Sequence, residues 1–248
     1  MKPGKRIARR FLQSIGYELV RSEHSGWGPE NQETIEFVAP YTMTSPQRVS
    51  AVVDAVTYVV KNQVSGAFVE CGVWAGGSAM AAARTFAAQG DTGRELYLYD
   101  TFEGMSEPTA LDKNARGEQA AALLSQKGNR ESVLCYASLK DVRDNMAKVD
   151  YPRDRVHFIQ GKVEDTIPGD APDQIALLRL DTDWYESTRH ELTHLIPRLA
   201  PYGVVIIDDY GHWMGARRAV DEWLAEFQRP VLLNRIDYSG RMAIIPPA

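Results

Sequence analysis

Residues 67–78 read Ala67-Phe68-Val69-Glu70-Cys71-Gly72-Val73-Trp74-Ala75-Gly76-Gly77-Ser78 and run on into an alanine-rich stretch that ends near Ala88. An apolar run too short for a helix ends in a glycine turn, and a helical pattern follows at once, which predicts a strand, a tight turn and a helix. The same unit recurs outward in both directions. Apolar runs at Ala67–Val73, Leu96–Tyr99, Val156–Ile159, Ile175–Leu180 and Val204–Ile207 predict strands buried on both faces, as in a parallel sheet. Helical patterns at Ser78–Ala88, Leu139–Val149, Glu186–Leu199 and Gly215–Phe227 alternate with them. Upstream, Ser45 and Pro46 supply an N-cap and a first helical residue for a valine-rich helix that stops before Gly66. At the end, Val231–Ile236 and Met242–Ile245 flank a short turn and predict an antiparallel hairpin. The fold class is therefore α/β: a Rossmann-like, mostly parallel, doubly wound sheet closed by a hairpin, with a helical extension at the amino end.

Composition agrees with one globular unit. The chain has 248 residues, 44% hydrophobic and 25% charged, with a net charge of −5. That excludes a disordered chain or a small disulfide scaffold, and a mildly acidic balance argues against nucleic acid as a partner. Cys71 and Cys135 suit a reducing compartment. No stretch approaches the roughly 18 apolar residues that span a bilayer. A cytoplasmic protein, assembled as a homodimer, is expected. The first ten residues hold Lys2, Lys5, Arg6, Arg9 and Arg10 and no acid. This arm reads as a solvated helix, though Ile7, Phe11, Leu12 and Ile15 on one face also suit peripheral contact with a membrane surface.

In an open α/β sheet, ligands bind beyond the carboxyl ends of the strands, so the residues just after each run carry the chemistry. They are polar and acidic. The turn at 70–78 has the spacing G-x-x-x-G-G, with the acid first and no basic residue between Gly66 and Ala83. That favours a nucleoside bearing a positive centre over one bearing phosphates. Gly72 is expected to let a ligand approach the backbone, and Asp100, ending the second strand, to accept both ribose hydroxyls. Asp181-Thr182-Asp183 and Asp208-Asp209 form two carboxylate clusters at neighbouring strand ends, with no basic residue within either. Adjacent carboxylates repel, and a hard divalent cation relieves that repulsion.

Competing motifs are weaker. His190-Glu191-Leu192-Thr193-His194 matches H-E-x-x-H, but Pro197 follows closely and no third zinc ligand is in view. Asp181-x-Asp183 also suits a metal-dependent glycosyltransferase, which leaves the glycine turn unexplained. A phosphatase would need Asp-x-Asp on its first strand.

Four blocks carry a resemblance: residues 70–78, Tyr99-Asp100-Thr101-Phe102-Glu103-Gly104-Met105, Leu180–Thr188 and Ile206-Ile207-Asp208-Asp209-Tyr210. Together they resemble the macrocin O-methyltransferase family over roughly residues 35–246. The resemblance implies a class I methyltransferase fold, S-adenosylmethionine as donor, Mg²⁺ as cofactor and a sugar hydroxyl of a natural product or glycan as acceptor; a catechol-type acceptor is the alternative. It implies Asp181, Asp208 and Asp209 as metal ligands and Asp183 as general base. Glu70, Gly72, Ser78, Asp100, Thr101, Phe102 and Gly104 would line the donor site, with Thr42 and Met43 as a lid and Glu164 and Asp165 beside the adenine. The domain division that follows is an arm and lid over residues 1–45 and a methyltransferase domain over 46–248. Trp74, Trp184 and Tyr185 suit either stacking on an acceptor or core packing.

Overall fold

The structure is a computed structural model that describes residues 27–125 and 136–247; the basic arm and Cys135 lie outside the described residues. The strands are β1 (Ala67–Cys71), β2 (Leu96–Asp100), β3 (Val156–Gln160), β4 (Ile175–Leu180), β5 (Leu199–Ile207), β6 (Asn234–Arg235) and β7 (Arg241–Ile244). They form one sheet in the order β3-β2-β1-β4-β5-β7-β6. β1 to β5 pair in parallel, while β7 pairs antiparallel with both β5 and β6. The order reverses between β1 and β4, so a crevice opens there above the strand ends.

The helices are α1 (Pro29–Val38), α2 (Pro46–Lys61), α3 (Gly77–Ala88), α4 (Ala120–Ser125), α5 (Leu139–Met146), α6 (Val163–Thr166), α7 (Tyr185–Leu195) and α8 (Met214–Glu226). Strand alternation sorts the core into two layers. Phe68, Leu96, Leu98, Leu177 and Ile206 face α1, α2 and α3 on one side. Val69, Tyr99, Leu178, Val205 and Ile207 face α7 and α8 on the other. α2 begins as its sequence predicts: the Ser45 hydroxyl accepts the Arg48 amide at 3.2 Å. Residues of α1 (Ile35 and Val38) are buried in the same layer as α2, so this part of the amino-terminal segment shares the main core.

Several boundaries differ from the sequence reading, and two of them lie around α7. α7 ends at Leu195 rather than Leu199, because Pro197 has no amide to donate and a 3₁₀ turn, Ile196–Arg198, replaces the last helical turn. β5 therefore starts at Leu199, earlier than Val204. Residues 181–183 do not continue β4, since Asp183 adopts φ +66° and the chain turns directly into α7.

Candidate active site

A cleft of about 380 Å³ opens over the carboxyl ends of β1, β2, β4 and β5. Thr42, Met43, Gly72, Ser78, Asp100, Thr101, Gly104 and Glu164 line it together with Asp181, Asp183, Asp208 and Asp209. Glu70, Phe102 and Asp165 do not. Glu70 is buried beneath the cleft, Phe102 packs its ring 6.5 Å from that of Phe158, and Asp165 is exposed on α6.

Backbone geometry builds the half of the cleft over β1 and β2. Asp100 Oδ2 accepts the amides of Val73 (2.7 Å) and Trp74 (3.0 Å), and Oδ1 accepts that of Phe102 (2.8 Å). One carboxylate thus clamps the two turns. Trp74 and Phe102 carry positive φ values of 46° and 54°, an uncommon conformation that these amide bonds hold in place. Gly72 lines the cleft and also makes room within the protein. At φ +83°, a Cβ there would lie 1.9 Å from the Asp181 carbonyl oxygen. The close approach is thus by β4's own exit loop. Gly77 admits a second close neighbour, since its Cβ would meet Tyr41 O at 2.5 Å and Thr42 Cβ at 2.6 Å.

Charge builds the other half. One oxygen each from Asp181, Asp208 and Asp209 lies within 4.8 Å of the others. The structure corrects the view that these acids lack basic neighbours. Arg179, two residues before Asp181 and fully buried within β4, donates to Glu70 Oε1 (2.8 Å), Asp181 Oδ2 (2.8 Å) and Asp208 Oδ1 (2.7 Å). Arg48, from the first turn of α2, bonds the other oxygen of Asp208 and reaches Asp237 at 3.1 Å. The signal was present in the sequence: a lone arginine inside an apolar strand must be paired when buried. Arg48, by contrast, is an ordinary polar residue on the face of an amphipathic helix.

Even so, negative charge is in surplus, and it moves the acids. Burial, reinforced by Asp208 and Asp209, pushes the Asp181 carboxyl well up despite Arg179. Burial and the charges of Asp183 and Asp208 do the same to Asp209. Asp183 is raised to about 7 by burial and by Asp181 and Asp208, against hydrogen bonds with Asp209 and Trp213 that lower it. The Asp183 amide also donates to Asp209 Oδ2 at 3.1 Å, which fixes the turn. Glu70 is likewise raised to about 7 by burial, partly offset by Arg179, and its Oε2 has no partner. Such an array suits either shared protons or a hard divalent cation.

The H-E-x-x-H residues do not converge on a metal. His190 Nε2 lies 2.8 Å from the Ile167 carbonyl, and Glu191 points the opposite way into the core, where it accepts the Thr182 hydroxyl at 3.0 Å. Trp184 is buried against Trp213 and donates to Ser106 O at 3.0 Å, and Tyr185 donates to Glu222 at 2.7 Å. Of the aromatic candidates, Trp74 and Trp184 line the cleft and Tyr185 does not. His212, Trp213 and Tyr238 complete the wall beside Asp209.

The model of the macrocin O-methyltransferase (TylF) family matches residues 27–242. The chain belongs to this family. It is 34% identical over 204 residues (81% of this chain, 74% of the relative) to 8-demethyl-8-(2,3-dimethoxy-alpha-L-rhamnosyl)-tetracenomycin-C 4'-O-methyltransferase of Streptomyces olivaceus. It is also 34% identical over 223 residues (90% and 79%) to demethyldecarbamoylnovobiocin O-methyltransferase of Streptomyces niveus. The solved O-methyltransferase NovP superposes with a TM-score of 0.73 at 32% identity, covering 84% of this chain and 83% of that one. As a member of the macrocin O-methyltransferase family, the chain is an S-adenosylmethionine-dependent O-methyltransferase with the class I fold. A zinc protease or a glycosyltransferase is not favoured. Among the described residues, no helix is long and apolar enough to cross a membrane.

Proposed function

We propose that this O-methyltransferase acts on a hydroxyl of a sugar, carried by a natural product or a glycan, with Mg²⁺ held by Asp181, Asp208 and Asp209. The observation that carries the reading is the convergence of these three carboxylates in the cleft, with Asp183 beside them. The names of the relatives, several of which place the methyl group on a sugar of an antibiotic, support the acceptor class. The donor set fits a hard cation: all ligands are carboxylate oxygens, and Arg48 and Arg179 leave their negative charge only partly balanced. When bound there, Mg²⁺ lowers the pKa of a coordinated hydroxyl and orients a vicinal diol.

The chain's own residues account for the rest. Asp100, already clamping the glycine turn, has acceptor capacity left for ribose hydroxyls of the donor. Asp183 takes the proton of the acceptor hydroxyl as the oxygen–methyl bond forms and the sulfur–methyl bond of the donor breaks, leaving S-adenosylhomocysteine. Asp183 suits this role by position, since it lines the cleft beside the three carboxylates and its backbone amide is fixed on Asp209. Holding donor and acceptor in line is the larger contribution, up to roughly 7–11 kcal/mol in ideal cases.

Chelation tests the metal. EDTA should abolish methyl transfer to a rhamnosylated acceptor, and Mg²⁺ should restore it, while S-adenosylhomocysteine still binds in EDTA by calorimetry. Full turnover after exhaustive chelation would remove the metal role. Preference for a catechol over every glycoside tried would remove the sugar.

A further inference from the structure

The segment from Tyr41 to Ser45 crosses the cleft between two anchors. At one end Tyr41 and Thr42 lie against Gly77 at the start of α3, closer than any side chain there would allow. Lys148 holds Tyr41 in place, with its ammonium 3.2 Å from the hydroxyl and 4.4 Å from the ring centre. Between the anchors, Thr42, Met43 and Thr44 line the cleft, and Thr44 Oγ1 donates to Asp208 Oδ2 at 3.1 Å.

The other anchor is the turn Asp237–Gly240 before β7. That turn is itself rigidly held. Asp237 Oδ1 accepts the amides of Ser239 (2.8 Å) and Gly240 (2.6 Å), and Ser239 Oγ donates to the Asp208 carbonyl at 2.7 Å. Asp237 Oδ2 then takes the Ser45 hydroxyl at 2.6 Å and Arg48 Nε at 3.1 Å. The same guanidinium bonds Asp208 through Nη1. Arg48 thus contacts both the turn and the acid cluster, and its own side chain is only 13% exposed. The fit is close: a Cβ on Gly240 would meet the Arg48 Cγ and Cδ at 2.9 Å.

We propose that Arg48 is a positioning residue for the donor: anchored on Asp237, it fixes the 41–45 segment across the cleft and orients Asp208 at the same time. Two carboxylates from different strands' ends share one guanidinium, so removing it leaves like charges facing each other and frees the segment they hold. The donor half and the acid half are thereby ordered together by one side chain, which itself reaches the wall of the cleft. The inference rests on the cleft being the donor site.

The test reads donor affinity without metal. S-adenosylhomocysteine is titrated calorimetrically in EDTA into the full-length protein, and kcat and KM for S-adenosylmethionine are measured with Mg²⁺. Asp237→Asn should weaken S-adenosylhomocysteine about tenfold and raise the donor KM in parallel, the scale of one lost charge-assisted bond. Its kcat at saturating donor should stay within about threefold of wild type. Arg48→Met should weaken the donor by a similar factor and lower kcat as well, because Asp208 also loses a partner. Arg48→Lys should recover part of the affinity. The double variant should lose less affinity than the sum of the two single losses, since both changes break the Arg48–Asp237 contact. Gly240→Ala keeps both charges and displaces Arg48 sterically, so it covers the case in which a charge variant fails to fold; it should reproduce the affinity loss. Wild-type donor affinity in Asp237→Asn and Gly240→Ala, with only the melting temperature lowered, would make the contact purely structural and overturn the proposal. A wild-type protein that binds no S-adenosylhomocysteine would overturn the donor reading itself, and the role of Arg48 with it.

Discussion

Around Gly72–Ser78 and Asp100, the cleft is shaped by backbone: glycines at positive φ or at close approaches, and a carboxylate whose oxygens are taken up by amides. Across the cleft, Asp181 and Asp208 are held by side-chain charge, with Arg179 from β4 and Arg48 from α2 as counter-ions, and Asp183 and Asp209 stand beside them. The first kind of site follows from short-range sequence, because turns need particular residues at particular offsets. The second depends on which strand ends the sheet brings together. Changes in the backbone half should therefore act on folding and donor binding, and changes in the charged half on turnover.

The largest expected effect tests that division directly. Asp183→Asn should lower kcat by about 10²–10⁴-fold, as a lost general base does, with S-adenosylhomocysteine affinity in calorimetry unchanged. Near-normal kcat would end the base assignment and point to His212, which lines the same wall. Next comes Gly72→Ala, where the two halves touch. A methyl group 1.9 Å from the Asp181 carbonyl, at φ +83°, forces β1 and β4 apart. A loss of about 2–4 kcal/mol in urea denaturation is expected from strain and overpacking together. An unchanged midpoint would mean that the loop yields freely and that the halves are less rigidly joined.

Asp100→Ala should weaken S-adenosylhomocysteine by about 1–3 kcal/mol, through lost ribose contacts and a loosened turn, while Asp183 keeps its function. An equal fall in kcat at saturating donor would blur the comparison. The smallest effect lies beneath the charged half. Burial pushes Glu191 well above the ordinary carboxylate range, so the folded protein keeps a proton that the unfolded chain releases. Stability from this group is complete below the unfolded value and declines as pH rises from there toward the folded value. Glu191→Gln carries no such penalty. Its unfolding free energy relative to wild type should climb by at most about 1.4 kcal/mol over the first pH unit above the ordinary carboxylate range. A constant gap would show that Glu191 is ionised in the fold.

Much of this was readable from the chain alone. Short apolar runs followed by helical periodicity gave five parallel strands and their helices, because strand length and side-chain period are local properties. Asp181, Asp183, Asp208 and Asp209 were legible as a group for a related reason: each stands just past an apolar run, where an α/β sheet turns its residues toward one crevice. Helix ends were read less well. The stop at Leu195 depends on Pro197 and on where β5 must begin.

By itself, then, the sequence determined the layered fold, the capped start of α2 at Ser45, and which strand ends carry acids, since propensity, capping and burial act within a few residues. Only the tertiary structure decided who neutralises those acids, what Gly72 makes room for, and how Thr42–Thr44 is held over the cleft. Arg179 reaches Glu70 across a neighbouring strand, and Arg48 meets Asp237 over 189 positions of chain. Such pairings have no period and no fixed spacing. They exist because parallel strands collect distant residues at one edge of the sheet, and because a charge taken out of water must find its partner wherever the fold has put it.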